Sequence, residues 1–250
     1  MDLSERKAIG EHFQRHPWER ARAQFVVHEL NKLRPIAGPI LDVGCGDAYV
    51  LSQVKMAFPE SPCLGVDTAF CGQTPCPPGM QIYSSLEAVP ASFRPASVIL
   101  LMDVLEHLAD PTQLLCDLRK QGLASRHTRV LVTVPAYQIL FGKHDHWLGH
   151  FRRYDRRLLL EHLQAGGIEV QDSSYFFLSL LFIRGLEVIL QRLQIHQPQS
   201  TGLVEWKGSA LQSRWLSLCL QVDFRICQWV RAKLGLTLPG LSCCALGQFQ

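Results

Sequence analysis

The chain has 250 residues, of which 47% are hydrophobic and 19% are charged, and its formal net charge is +3. This length and composition fit one large α/β domain with a full hydrophobic core and exclude wholesale disorder. So small a net charge gives no support for nucleic-acid binding, and we expect no nucleic-acid partner.

Strands and helices are predicted to alternate along most of the chain. An amphipathic helix over residues 14–33 comes first and ends before Pro35 and Gly38. Short apolar runs then predict strands at 40–44, 63–66, 81–83, 96–102, 129–134 and 168–174, with helices at 49–58, 111–123 and 155–165. This alternation indicates a mainly parallel sheet covered by helices on both faces, which binds ligands at the carboxyl ends of its strands.

The first predicted strand runs into a turn with two glycines, Asp42-Val-Gly44-Cys-Gly46. Glycines let the backbone turn sharply and approach a ligand closely, and the following helix offers free N–H groups. Asp67 lies at the end of the second strand, 25 residues after Asp42, where a carboxylate can accept both hydroxyls of a ribose. The pattern predicts a nucleotide site, and Asp67 weighs against the alternative of an ordinary strand-to-helix turn.

Tyr49 stands where a dinucleotide-binding fingerprint requires its third glycine. The segment instead resembles the first motif of class I S-adenosylmethionine-dependent methyltransferases, with Ala48 at the usual third glycine. Residues 96–111 and 130–136 are similar to the fourth- and fifth-strand motifs of the ubiquinone-biosynthesis-like (type 11/12) methyltransferases. Residues 144–154, and more weakly Pro17-Trp18-x-x-Ala-Arg22, resemble blocks of a bacterial subgroup. The resemblance covers residues 15 to 175.

The resemblance implies one class I methyltransferase domain over residues 1–250, with a Rossmann-like, seven-stranded, mostly parallel sheet. Its last strand is antiparallel and lies between the fifth and sixth; we assign residues 241–247 to it. Residues 176–238 then form an apolar helical insertion between strands six and seven. The implied cofactor is S-adenosylmethionine, and its binding residues are Asp42, Gly44, Cys45, Gly46, Asp67, Ser85, Leu86, Met102 and Asp103. Ser85 replaces an aspartate that bonds the adenine in many relatives.

Methyl transfer requires a positioned nucleophile and, for some acceptors, a base. The candidate catalytic residues are Glu106, His107, His144 and His150. His107 follows the fourth strand, and the ordinary histidine pKa of about 6.5 suits a general base; alternatively, Glu106 and His107 cap the next helix. Some related O-methyltransferases bind a cation with Glu-x-x-Glu-His where this chain has Asp103-x-x-Glu106-His107. Many relatives need no metal, and we expect none.

The loop after the fifth strand carries a polar cluster at the rim of the expected site: His144, Asp145, His150, Arg152, Arg153 and Tyr154. Its basic members could bind a phosphate or carboxylate of the substrate. Alternatively, the two arginines pair with acidic side chains and Tyr154 packs. We expect mixed roles, with one arginine structural.

The proposed insertion contains two predicted apolar helices, at 176–193 and 204–234, and residues 175–238 hold seven basic residues against three acidic ones. One interpretation is a helical hairpin packed on the sheet or in a homodimer. The other is a peripheral membrane contact, or a channel for a lipid-like substrate, because tryptophans with a basic excess are typical of a membrane interface.

Nine cysteines include no CxxC pair, which argues against a zinc ribbon or a thioredoxin-like motif. We expect reduced thiols and a cytoplasmic protein, without a signal peptide or a membrane-spanning helix, and with membrane association as the open alternative. The leading hypothesis is methyl transfer to a small apolar or lipid-linked acceptor, with oxygen favoured as the target. A methyltransferase-like protein without turnover and a nicotinamide-dependent oxidoreductase are the alternatives.

Overall fold

The computed structural model describes residues 15–70, 77–193 and 208–250. The helices are α1 (Pro17–Asn31), α2 (Tyr49–Ala57), α3 (Pro111–Lys120), α4 (Lys143–Trp147), α5 (Arg156–Ala165), α6 (Leu178–Arg192) and α7 (Ala210–Leu234). The strands are β1 (Ile40–Val43), β2 (Cys63–Val66), β3 (Gln81–Tyr83), β4 (Val98–Met102), β5 (Arg129–Pro135), β6 (Ile168–Phe176) and β7 (Ser242–Phe249).

All seven strands form one sheet in the order β3-β2-β1-β4-β5-β7-β6. The pairs among β1 to β5 are parallel, whereas β7 runs antiparallel to both β5 and β6. The predicted fold, including an antiparallel last strand between the fifth and sixth, is therefore confirmed. The strand order reverses between β1 and β4, and the carboxyl ends at such a switch point form the usual ligand crevice.

The central strands are buried on both faces because helices cover each side of the sheet. Along β4, Ile99 and Leu101 pack in a cluster with α3 and α5, while Leu100 and Met102 pack in a cluster with α1, α2 and α7. This alternation is the two-residue period of a strand, and it explains why β4 is an unbroken apolar run.

Most predicted elements agree with the structure to within a few residues. The sixth strand is longer than predicted, because Tyr175 and Phe176 still pair with Cys243 and Ser242 of β7. The last helix begins at Ala210, after the capping side chain of Ser209. The earlier part of its predicted range, up to residue 207, lies outside the described residues.

The two helices between β6 and β7 pack on the α1 side of the sheet. The Phe224 ring of α7 meets Phe25 of α1 with ring centroids 5.1 Å apart. Asp223 of α7 accepts hydrogen bonds from the backbone N–H (2.9 Å) and hydroxyl (2.6 Å) of Ser179, in the first turn of α6. The division of the chain at residues 176–238 stays a prediction.

Two further expectations concern the described residues. None of their helices combines the length and the apolar character required to cross a membrane. Their seven cysteines are all free thiols.

Candidate active site

The turn after β1 has a backbone that favours glycine. Gly44 and Gly46 have φ values of +75° and +55°, in the left-handed region that side chains disfavour. A Cβ atom on Gly44 would lie only 2.5 Å from Cγ2 of Val104. The Gly44 N–H donates to the Val66 carbonyl at 2.7 Å, so the turn is fastened to the neighbouring strand.

Asp67 closes the opposite side of this turn, at the end of β2. Its carboxylate accepts hydrogen bonds from the backbone N–H groups of Gly46 (2.8 Å) and Ala69 (2.9 Å). A carboxylate has about four acceptor sites, so the held group retains lone pairs for the hydroxyls of a ribose.

Asp42 is a buried carboxyl group beneath the turn, with 1% of its surface exposed. Its Oδ1 atom has no hydrogen-bond partner within the part of the chain that the structure describes. Burial raises the pKa of Asp42 to about 7, and the nearby Arg22 guanidinium opposes the rise. A cationic donor group would satisfy the oxygen and favour the ionised carboxylate, and the methionine ammonium of S-adenosylmethionine is such a group.

Arg22 is a site residue that the sequence prediction missed. From α1 it donates to Oδ2 of Asp103 at 2.5 Å and to the Met102 carbonyl at 3.0 Å. The Thr133 hydroxyl holds the other oxygen of Asp103 at 2.9 Å. The missed signal was a charged residue between Trp18 and Phe25 on the inward face of an amphipathic helix. Asp103 itself has a left-handed φ of +57°.

The other predicted cofactor residues differ in how they meet the site. Cys45 packs its side chain toward Gly65 and into a small apolar cluster with Ala48 and Leu51, so only its backbone lines the turn. Leu86 packs against the main core cluster. Ser85 follows β3, and its hydroxyl hydrogen-bonds to Glu87.

Three of the four candidate catalytic residues meet beyond the end of β4. Glu106 and His107 form a short helical turn there, and the rings of His107 and His150 lie edge to face with centroids 4.6 Å apart. One ligand atom from each of Glu106, His107 and His150 lies within 4.8 Å of the others. His144 is not part of this group: its ring lies near Trp147 at a centroid distance of 6.3 Å. Burial and then the charge of Arg184 lower the pKa of His144.

Glu106 is completely buried, and within the described residues neither of its carboxyl oxygens has a hydrogen-bond partner. Burial, and then the charge of Asp103, raise the pKa of Glu106 well above its usual value. Both effects favour the protonated, neutral form of Glu106, which is a poor proton acceptor.

Asp145 is the buried anion that organises the rim. Its Oδ1 atom accepts hydrogen bonds from Nδ1 of His150 (3.1 Å) and Nε of Arg153 (2.7 Å). Its Oδ2 atom accepts one from the backbone N–H of Gly142 (2.9 Å). Burial alone would raise the pKa of Asp145, but the hydrogen bonds from His150 and Arg153 hold it well below its usual range.

The ionised carboxylate of Asp145 determines which ring nitrogen of His150 carries the hydrogen. Because Asp145 can only accept, Nδ1 of His150 must carry the hydrogen, which leaves the lone pair of the neutral ring on Nε2. Arg153 is 6% exposed and forms an ion pair with Asp145. This agrees with the expectation that one of the two arginines has a structural role. Arg152 donates to the Ala109 carbonyl at 2.7 Å, and Tyr154 is fully buried.

A divalent cation could be coordinated by Glu106, His107 and His150, since carboxylate and imidazole are common ligands. Asp103, at the first position of the spacing noted in the sequence, is instead bonded to Arg22 and Thr133. That the protein needs no metal stays a prediction.

The fold and the site together define a Rossmann-like α/β protein with a nucleoside-cofactor crevice at the ends of β1, β2 and β4. A family model described as a methyltransferase domain matches residues 11–173, more than half of the chain. The chain therefore belongs to the methyltransferase-domain family. The match ends within β6, before α6 and α7.

Solved structures of methyltransferases share the fold at low identity. A SAM-dependent methyltransferase from Archaeoglobus fulgidus is 15% identical, with a TM-score of 0.51 over 92% of this chain and 96% of that chain. A putative sarcosine dimethylglycine methyltransferase from Galdieria sulphuraria is 12% identical, with a TM-score of 0.51 over 91% and 84%. Geranyl diphosphate methyltransferase in complex with SAM is 10% identical, with a TM-score of 0.51 over 92% and 85%. No curated protein matches the sequence.

The predicted enzyme class and cofactor are thereby confirmed: the protein is a class I methyltransferase that depends on S-adenosylmethionine. The alternative of a nicotinamide-dependent oxidoreductase is wrong. The type 11/12 assignment is compatible with the family match.

Proposed function

We propose that the enzyme methylates an oxygen of a small apolar or lipid-linked acceptor, with His150 as the general base and Asp145 as its positioning residue. The observation that carries the proposal is the buried Asp145–His150 hydrogen bond of 3.1 Å, beside His107 and Glu106 past the end of β4.

S-adenosylmethionine supplies a methyl group that is already activated by its sulfonium. Asp42 would hold its ammonium, the turn at Gly44 and Gly46 would pass close to its methionine part, and Asp67 would hold its ribose. Arg22 fixes Asp103 and lowers the pKa of Asp42 against the effect of burial.

The protein must then orient the acceptor and remove a proton from its hydroxyl group. Nε2 of His150 accepts this proton, and the imidazolium that forms is stabilised by the ionised Asp145. Burial favours the neutral form of Glu106, which is a poor proton acceptor. His107 lies against the His150 ring and orients it, in line with the structural alternative for this residue.

The rim of the site favours an apolar acceptor. Three large side chains there are well exposed: Ile139 (67%), Trp147 (45%) and Phe151 (58%). Burying such groups against a substrate is favourable, at about 25 cal/mol per Å² of apolar surface. Arg184 of α6 lies 3.5 Å from Asp145, so the apolar helix α6 borders the same rim.

The test is transfer of label from methyl-labelled S-adenosylmethionine into fractionated cell extract. We expect label in the lipid fraction, on an oxygen atom identified by mass spectrometry. His150→Gln should bind the cofactor with unchanged affinity in calorimetry but lose turnover by about 10²- to 10⁴-fold. His107→Gln is the matched control and should lose much less. A greater loss in His107→Gln would identify His107 as the base.

The non-catalytic alternative rests on Ala48 and Ser85, which depart from the usual motifs. It predicts cofactor binding without transfer of label to the lipid, small-molecule or protein fractions. Label in a protein or water-soluble fraction would instead contradict the proposed acceptor class while leaving the enzyme class intact.

A further inference from the structure

The outward faces of α6 and α7 are apolar, the reverse of an ordinary surface helix. Of the seventeen large hydrophobic side chains that are exposed among the described residues, thirteen lie on α6, α7 and the segments that directly follow them. Scattered exposed hydrophobics are normal, but a concentration of this kind marks an interaction site.

On α7, six of the seven large exposed apolar residues form one narrow stripe: Leu211, Trp215, Leu218, Val222, Ile226 and Trp229. At 100° per residue they fall within about 80° of the helix circumference, and they extend over about 27 Å. The opposite face of α7 packs on the protein through smaller groups, including Ser213 (1% exposed) and Ser217 (8%).

A second stripe lies on α6: Phe182, Ile183, Leu186, Ile189 and, just past its end, Leu193. Phe182 is 70% exposed, whereas Val188 on the inward face is 6% exposed. Arg184 points the other way, toward Asp145 (3.5 Å) and the Leu140 carbonyl (3.5 Å). The α6 stripe therefore begins beside the active-site rim.

The charges next to the α7 stripe are basic. Arg214 and Arg225 flank it on one side and Lys233 continues its line, and no ion pair to any of them occurs among the described residues. The acidic residue of α7, Asp223, is used to cap α6. The surface thus combines an apolar stripe, tryptophans near both ends and uncompensated positive charge.

We infer that the outward faces of α6 and α7 dock on an anionic lipid bilayer, with the helices lying in the plane of the interface. Apolar side chains enter the acyl boundary, tryptophans lie at headgroup level, and the basic side chains meet lipid phosphates. A second copy of the chain fits less well, since a two-fold contact would place the same basic residues of both copies against one another.

Docking is tested by sedimentation of the full chain with vesicles of phosphatidylcholine, alone or mixed with phosphatidylglycerol, without cofactor or acceptor. We expect binding to the mixed vesicles that weakens with salt and is accompanied by a blue shift of tryptophan emission. Arg214→Gln with Arg225→Gln should lower partitioning by about 30-fold, and Trp215→Gln with Trp229→Gln by about tenfold. Met56→Gln, at a residue 76% exposed on α2, is the matched control and should bind normally.

Absence of binding by the wild-type chain, or equal binding by all variants, would overturn the inference. So would a stable dimer in analytical ultracentrifugation that the tryptophan variant dissociates, because a second copy would then cover this face. Vesicle binding is measured without cofactor or acceptor. The docking inference and the proposed methyl transfer can therefore be contradicted independently of each other.

Discussion

Asp145→Asn removes the buried negative charge at the rim of the active site. The wild-type carboxylate is 0% exposed. Its Oδ1 atom accepts hydrogen bonds from His150 and Arg153. Its Oδ2 atom accepts one from the Gly142 N–H and lies 3.5 Å from Arg184. Asparagine has only one oxygen. In either orientation of the amide, its NH₂ group faces N–H donors that an oxygen of Asp145 accepted in the wild type. Arg153 and Arg184 also lose the negative charge that they pair with.

Removing one partner of a buried ion pair costs about 3–5 kcal/mol, and we expect a loss of that size in the free energy of unfolding at pH 7. The sign with pH follows from the depressed pKa of Asp145. Its contribution is present above the unfolded pKa of about 3.9 and is lost as the pH falls through the folded value. The gap between wild type and variant should therefore persist from pH 7 to pH 5 and close in stronger acid.

Urea denaturation followed by circular dichroism measures this gap. Asp117→Asn is the control, because Asp117 is a partly exposed helix residue with Lys120 at 3.7 Å, and its loss should cost less than about 0.5 kcal/mol. If Asp145→Asn cost less than about 1 kcal/mol, the buried anion would not be what holds the rim together.

Three further predictions concern Asp42, the cofactor turn at Gly44, and Glu106. Because burial raises the pKa of Asp42 to about 7, the folded protein binds more protons than the unfolded chain between about pH 4 and 7. As the pH rises from about 4 to 7 without cofactor, the wild-type free energy of unfolding measured in urea should therefore fall by about 3 kcal/mol relative to that of Asp42→Asn. Parallel pH profiles of the two proteins would contradict this. Gly44→Ala should cost about 2–3 kcal/mol through the contact with Val104 and the left-handed backbone, whereas Gly185→Ala, which meets no atom within 4 Å in α6, should gain about 0.5–1 kcal/mol. Equal thermal melting shifts in the two glycine variants would be inconsistent with this account. Because burial favours the protonated form of Glu106, Glu106→Gln should exchange groups of the same shape and charge, and turnover should stay within about twofold, with or without a chelator. Activity lost on chelation and restored by Mg²⁺ or Zn²⁺ would instead place a metal on Glu106, His107 and His150.

The parts of the site that the sequence predicted well are local. The turn at Gly44 and Gly46 joins a strand directly to a helix, so its residues are neighbours along the chain and its backbone needs are visible in the residue types. Asp67 was predicted because parallel strands bring their carboxyl ends to one edge of the sheet. The parts that were missed join distant segments: Arg22 reaches Asp103, 81 residues away, and Arg184 reaches Asp145 from α6.

The catalytic candidates also show the difference between what is local in the sequence and what depends on contacts between distant segments. The sequence placed Glu106, His107, His144 and His150 after two neighbouring strands and favoured His107 among them as the general base. The tertiary structure brings three of them together, leaves His144 outside that group, and buries Glu106 where its protonated form is favoured. Protonation depends on burial and nearby charge, and neither is encoded in spacing.

Hydrophobic period and glycine placement are local properties, so the residues alone were enough to predict the element order, the mainly parallel sheet and the cofactor turn. The antiparallel last strand was predicted from the family resemblance. Which face of α6 and α7 points outward, and which histidine is paired with an ionised carboxylate, became clear only from the folded chain. Both depend on how segments far apart in the chain pack together, and packing sets burial, charge and proton position at once.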